Sequence, residues 1–428
     1  MTVAVLFALF TVLLIVGVPI AFAMGLSAVT VVLMFMNVPL VLLPQRFFSS
    51  LDSFPLMAIP LFILAGNLMN VSGITAAIVR FASALIGHIR GGLAQVNIAT
   101  SLMFSGISGS AAADVAAVGS MLLPAMKKEG YKPEWSAVIT AASAILGPIL
   151  PPSLLMVLYG AMTGQSIGTL FLAGILPGLV IALFLMALTW WKADTIGGQK
   201  HSRATKAEIG RAFLAALPAL VLPVLIIGGI QSGVFTATEA GVLAVVYALL
   251  YGFVTGKLGP GLAWHHLRDA AIATSSILII LGGAALFSWI IAREGFPAQI
   301  AEALTTLTSN PYLALGLIVV ALLILGMFVE TISALILVTP MLAPIGAAYG
   351  IDPIHFAIVT IISVLLGSIT PPVAIILILA CRIGGVDYAK VIRPFIPYFL
   401  IILAGLVVIT YVPAVTLAVP RLFAGYGG

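Results

Sequence analysis

Apolar residues run through this chain in long blocks, and the polar positions between the blocks are few and grouped. A run of ~18 or more apolar residues is a candidate membrane-spanning helix, because about that length is needed to cross the hydrocarbon core. In the first half the pattern predicts helices near 2–17, 19–37 and 54–71, then a short amphipathic piece at 74–89. Apolar stretches at 92–104 and 111–126, a long segment at 133–165 and a helix at 170–191 follow. The second half repeats the order at 212–230, 236–255, 271–292, 296–308, 312–325, 330–345, 353–383 and 390–415. Two units are therefore expected, a first repeat at 1–191 and a second at 212–428, joined by the polar 192–211 stretch.

The repetition is also visible in individual residues. At an offset of 220, Ser143, Gly147 and Pro151-Pro152 match Ser363, Gly367 and Pro371-Pro372, and at 216 Gly17 and Gly25 match Gly233 and Gly241. A Gly followed by Pro-Pro cannot continue an α-helix, since each Pro lacks a donor and pushes its predecessor out of the α region. Both 133–165 and 353–383 are thus broken helices. Unwound backbone at membrane depth survives only where protein or a cavity satisfies it. A pair of such breaks at corresponding places in two halves points to the binding site of a secondary transporter.

The stretches 92–104 and 111–126 would reach only ~20–24 Å, short of the ~30 Å hydrocarbon core. They meet at Ser105–Ala111, which predicts a re-entrant hairpin at 92–126, with a counterpart at 312–345 turning at Leu325–Thr331. If 74–89 and 296–308 also stop short of crossing, each half crosses five times, and an odd number inverts the second half. With the N-terminus outside, all of the 18 Lys and Arg fall in cytoplasmic loops except Arg46, Arg293 and Arg421. Basic residues concentrate in cytoplasmic loops. The expected fold is an all-α polytopic membrane protein of two inverted repeats, each with about five crossing helices, a re-entrant hairpin and a Pro-Pro-broken helix. Both termini would be periplasmic.

Composition removes the alternatives. The chain is 62% hydrophobic and 7% charged, with mean hydropathy +1.27, too few charges to cover a soluble domain. The net charge of +5 is spread over short loops as topology signals are, so nucleic acid is not expected. No charged segment precedes the first helix as in a signal peptide. The single Cys381 makes no disulfide framework within the chain, and no Cys/His spacing suits a transition metal. His265-His266, beside Trp264 in a polar loop, read as interfacial residues, and Trp190-Trp191 before Lys192 as an aromatic belt. No GxxxxGK[ST] motif and no nucleophile–base pair occur. Neither a nucleotide nor enzymatic chemistry is expected, and a gradient or a partner must drive transport.

The first candidate site joins the tip Ser105–Ser110 to the break Gly147–Pro152. Small residues let backbone approach a ligand, hydroxyls and unwound carbonyls offer hard oxygens for Na⁺, and half-helix N-termini favour anions. The competing reading is tight helix packing through small residues. The second candidate is its repeat, with Gly326, Glu330 and Thr331 at the tip and Gly367, Ser368, Thr370 and Pro371 at the break. Asp114 and Glu330 align at the 216 offset. An ionisable group at this depth marks either a functional role near the cations or the gate, or a helix cap. Glu239, with Thr236 and Thr238, reads as a cap. Asn67 reads as an interhelical hydrogen-bonder or a ligand contact.

With those residues in hand, the chain resembles the large membrane subunit of tripartite ATP-independent periplasmic (TRAP) transporters. The resemblance covers essentially the whole length through IPLFILAGNLMNVSGI (59–74), SGISGSAAADVAAVGSMLLPAMKKEGY (105–131), GPILPPS (147–153) and GSITPPV (367–373). It implies sodium-driven import of an organic acid by an elevator motion of a transport domain against a scaffold, in the bacterial inner membrane. It also implies a separate small four-helix membrane subunit and a periplasmic substrate-binding protein. The family's sodium sites map onto Ser105, Ser108, Gly147, Leu150 and Pro152, and onto Gly326, Gly367 and Thr370. Ser110, Asp114, Glu330, Thr331 and Asn67 remain substrate or gating candidates. The second reading is a sodium/dicarboxylate-type transporter that needs no binding protein. For the motion, 92–165 and 312–383 are expected to move together against a scaffold of 2–37, 170–191, 212–255 and 390–415.

Overall fold

Glycine and proline set most helix boundaries, as the pattern required, but several lengths differ. The computed structural model describes residues 1–199 and 202–426. Thr2–Ile15 and Ile20–Phe35 are separated by Gly17, in the left-handed region, and Pro19. They have 14 and 16 residues and so reach ~21–24 Å, less than the predicted 2–17 and 19–37. Their second-half counterparts, Lys206–Gln231 and Ala237–Val254, are longer at 26 and 18 residues. Both open with capping boxes, Thr205 with Glu208 and Thr236 with Glu239, so the capping reading of Glu239 holds.

An additional helix, Leu42–Leu51, precedes Phe54–Val71; its polar face hides it from a hydropathy scan. In the second half the equivalent piece fuses with the following span into Pro260–Arg293, 34 residues long. His265 and His266 therefore lie on a helix rather than in a loop, and both imidazoles face the Asp269 carboxylate one turn on, at 3.3 and 3.8 Å. The connection between halves narrows to 197–205, because Ile167–Ile196 outlasts its aromatic belt. Lys200, counted among the cytoplasmic charges, lies outside the described residues.

Nine helices among the described residues are long and apolar enough to span a membrane. The hairpin arms are longer than predicted. Gly92–Ser108 continues through the Ser/Gly run, because serine and glycine weaken a helix without stopping it, and only Gly109 at φ +57 ends it. Pro311–Phe328 and Thr331–Ala348 have 18 residues each, ~27 Å. Arm length thus does not separate a re-entrant hairpin from two crossings, and the charge distribution alone carries that reading.

The helices pack as two groups. The first joins Thr2–Ile15, Ile20–Phe35, Leu42–Leu51, Ala58–Val71 and Ile74–Ile86 with Lys206–Gln231, Ala237–Val254 and Pro260–Arg293. The second contains both hairpins and both broken helices. It also contains Ile167–Ile196 and Tyr388–Tyr411, contrary to the expected scaffold membership of 170–191 and 390–415. Specific bonds account for this. Gln95 on the first hairpin donates to Met186 O (2.9 Å), and the Thr189 and Tyr398 hydroxyls share a hydrogen bond of 2.9 Å. Tyr131, after the hairpin, forms an isolated β-bridge with Gly197, and Lys132 N donates to Ile196 O at 3.0 Å. Buried His355 on the second broken helix contacts the Thr416 hydroxyl at 2.8 Å and Thr410 O at 3.1 Å. Polar links buried in apolar surroundings are costly to break, so these helices belong to the hairpin group.

Candidate functional site

Each hairpin tip rests on the break of its own half. Gly109 lies so close to the first break that a Cβ there would sit 2.7 Å from Pro152 O. A Cβ on Gly147 would lie 3.2 Å from Ser110 O and 3.6 Å from Ala111 N. Gly147 and Pro152 of the first set thus lie against the tip that carries Ser105 and Ser108. The Ser105 hydroxyl donates to Leu102 O at 2.6 Å, and the Leu150 side chain turns away toward Gly178, leaving its backbone at the break. In the second half, Gly326 and Gly367 face each other. A Cβ on Gly367 would be 2.6 Å from Leu323 O and 2.7 Å from Gly326 Cα. Thr370 donates from its hydroxyl to Leu366 O (2.7 Å) and from its amide to Gly367 O (2.9 Å). Its hydroxyl lone pairs stay available to a cation.

The two breaks are built alike and closed differently. The Pro151–Pro152 and Pro371–Pro372 peptides are both cis. In the first break Ser153 donates to the freed Pro148 carbonyl and accepts from Met156 N, capping Leu154–Thr163. Val373 stands at the matching place in the second break, and Ala374 takes a left-handed conformation (φ +45) instead. Ser153 escaped the sequence reading, although a Ser just after Pro-Pro and before an apolar run is a cap signal.

Both tips and both breaks then meet around one cavity of about 150 Å³. Four helix N-termini open onto it, at Ala111, Leu154, Thr331 and Ile375. A second cavity of about 440 Å³ adjoins it, between the first tip, Ala58–Val71 and Pro260–Arg293. Ser110 lines both, and Asn67, Asn70, Ser108 and Asp269 add polar groups to the larger one. Asn67 is therefore a cavity residue. Asn70 and Asp269 carried no sequence signal, because nothing in their local pattern distinguishes them from ordinary polar positions. Among the described residues, no Lys or Arg lines either cavity. An anion there is met by helix dipoles, amides and hydroxyls.

The 216 offset misplaced the acidic pair by one helical turn. At the 220 offset of the breaks, Glu330 matches Ser110, and each caps the second arm of its hairpin. Glu330 accepts from Ser333 N (3.1 Å) and Ser333 Oγ (3.3 Å), and Ser110 from Ala113 N (3.5 Å). Glu330 and Thr331 both face the smaller cavity. Asp114 matches Ala334 instead. It lies behind the first tip, fully buried and outside both cavities, so neither capping nor substrate contact fits it.

This arrangement can be set beside known proteins. Residues 7–415 match the family described as the DctM component of tripartite ATP-independent periplasmic transporters. The chain belongs to that family. It is 37% identical to the sialic acid TRAP transporter large permease protein SiaM of Vibrio cholerae, over 97% of each chain. It is 35% identical to the C4-dicarboxylate large permease protein DctM of Rhodobacter capsulatus, over 99% of each. The isethionate permease protein DctMQ of Oleidesulfovibrio alaskensis is 38% identical over 98% of this chain, which spans 66% of that longer protein. The crystal structure of the Alcanivorax borkumensis YdaH transporter, described as having an unusual topology, shares the fold at TM-score 0.63 and 14% identity, covering 86% of each chain. As a TRAP large permease component the chain is a multi-pass membrane protein and a secondary transporter, not an enzyme.

Proposed function

We propose that this permease imports an organic acid anion driven by a sodium gradient, receiving it from a periplasmic substrate-binding protein and working beside a small four-helix membrane subunit. The observation that carries the reading is the convergence of four helix N-termini on a cavity that, among the described residues, no Lys or Arg lines. Aligned dipoles attract an anion, and each half-helix N-terminus contributes a partial positive charge. Glu330 at the rim opposes that attraction, so cations near the tips would restore it. The glycine-apposed breaks, with carbonyls and the Thr370 hydroxyl close together, have the hard-oxygen chemistry that suits Na⁺. Organic acids named for relatives include sialic acid, C4-dicarboxylates and isethionate, all carrying at least one anionic group. The hairpin group is the natural moving body of an elevator, since the cavity residues of both tips and both breaks belong to it.

The test is uptake into liposomes containing this chain and the small subunit, with liganded binding protein outside. Uptake should require an inward Na⁺ gradient and the binding protein. Equal uptake under K⁺ or a proton gradient alone would reject sodium drive. Uptake without the binding protein would favour the sodium/dicarboxylate-type alternative.

A further inference from the structure

Among the polar groups buried in the hairpin group, Asp114 stands apart. It is completely inaccessible, and neither carboxylate oxygen has a hydrogen-bond partner among the described residues. Ser101 lies against it, yet the Ser101 hydroxyl donates to Ser143 Oγ at 3.1 Å. The Ser143 hydroxyl in turn reaches Asn97 Oδ1 at 3.2 Å, Asn97 donates to Thr140 Oγ1 at 2.7 Å, and Thr140 donates to Ser136 O at 2.9 Å. Ser101 is the polar group of this chain that lies beside Asp114, and its hydroxyl can turn its proton to the carboxylate or to Ser143 Oγ.

The helices around 111–119 carry few ionisable groups. Gly92–Ser108 and Leu146–Ile149 have none, Pro133–Ala144 has Glu134, Ile74–Ile86 has Arg80, Ile375–Gly384 has Cys381 and Arg382, and Ser120–Lys128 ends in Lys127 and Lys128. None of them makes an ion pair with Asp114 among the described residues. An ionised carboxylate beside a single hydroxyl, with no counter-charge, is not stable in such a place. The second half serves as an internal control on whether the fold needs these groups. Its Thr360 and Ser363 repeat Thr140 and Ser143, but Leu317, Ala321 and Ala334 stand where Asn97, Ser101 and Asp114 do. The second hairpin packs on its broken helix without the polar chain. Packing alone therefore does not call for Asp114.

We propose that Asp114 is a third cation position of the transport body, separate from the two tip-plus-break sites, at which one small monovalent cation neutralises the carboxylate. A proton would complete the hydrogen-bond chain, the Asp114 hydroxyl donating to Ser101 Oγ. Sodium would instead sit between the carboxylate and the Ser101 and Ser143 oxygens. In both cases the cation travels with the hairpin group and adds one charge to the transport stoichiometry.

The experiment compares wild type with Asp114→Asn in proteoliposomes, recording uptake against external pH, uptake against Na⁺, and the reversal potential. If a proton is bound, wild-type uptake falls as pH rises and the variant loses that dependence. If sodium is bound, the variant keeps the pH profile and its Na⁺ dependence becomes less cooperative. In either case the reversal potential shifts by one charge. Should Asp114→Asn fail to fold, Ser101→Ala keeps the acid and removes one oxygen. The Ser101→Ala half-point in proton or Na⁺ concentration should then move about five-fold at unchanged substrate KM. Wild-type pH and Na⁺ dependence with an unshifted reversal potential in Asp114→Asn or, where that variant does not fold, an unmoved half-point in Ser101→Ala overturns the proposal. The proposal rests on a cation-coupled reading of this permease, and the wild-type arm separates the two: no cation dependence in wild type refutes the coupling itself.

Discussion

At the scale of single residues, the second break offers the sharpest separation of cation binding from packing. Thr370→Val removes one oxygen with little change in volume, and the hydroxyl is only partly buried. The half-saturating Na⁺ concentration for uptake should rise about ten-fold, as losing one hydrogen-bonding oxygen to a charged group implies. Gly367 tests packing instead. A methyl group there would meet Leu323 O at 2.6 Å and Gly326 Cα at 2.7 Å. Gly367→Ala should lower stability by about 1–3 kcal/mol, as overpacking does, seen as an earlier melting transition in detergent. An unchanged transition would mean that these backbones are less closely apposed than described. The tips and breaks were legible in the sequence because Gly, Ser and Pro have steric consequences that hold in any context. The roles of Asp114 and Glu330 were not, because one helical turn of offset decides which residue caps an arm and which is buried behind it.

At the scale of elements, apolar runs located nearly every helix, whereas Leu42–Leu51 was lost because half of its surface is polar. Hairpin arm lengths could not be read, since a Ser/Gly run leaves the helix end undetermined until Gly109 adopts its left-handed conformation. What remains for the inverted arrangement is charge, and labelling tests it. Native Cys381 is buried, so single cysteines can be introduced against a quiet background. A cysteine at Arg203, between the halves, should react only with reagent on the cytoplasmic side. One at exposed Ala347, at the end of the second hairpin's second arm, should react only from the periplasm. Reaction of both from one side is incompatible with inverted halves.

For the whole molecule, the sequence could not say which apolar helices move together, because lipid-facing helices look alike and membership is decided by tertiary bonds. Gln95–Met186, Thr189–Tyr398 and His355–Thr410 place Ile167–Ile196 and Tyr388–Tyr411 with the hairpins. Small residues mark the boundary between the two groups, as at Gly66, where a Cβ would lie 3.1 Å from Ile107 O. Such a boundary suits rigid-body sliding. Its central test is a pair of engineered disulfides. Gly106→Cys with Pro223→Cys spans the boundary, where a Cβ on Gly106 would be 3.0 Å from that of Pro223. Ile181→Cys with Gly405→Cys joins two helices within the hairpin group, where the corresponding approach to Ile181 Cγ1 is 3.4 Å. With both cross-links verified as formed, the first should abolish uptake until it is reduced, and the second should leave the rate unchanged. Uptake that continues through the Gly106–Pro223 link, or stops only with the Ile181–Gly405 link, would contradict a moving body of this composition.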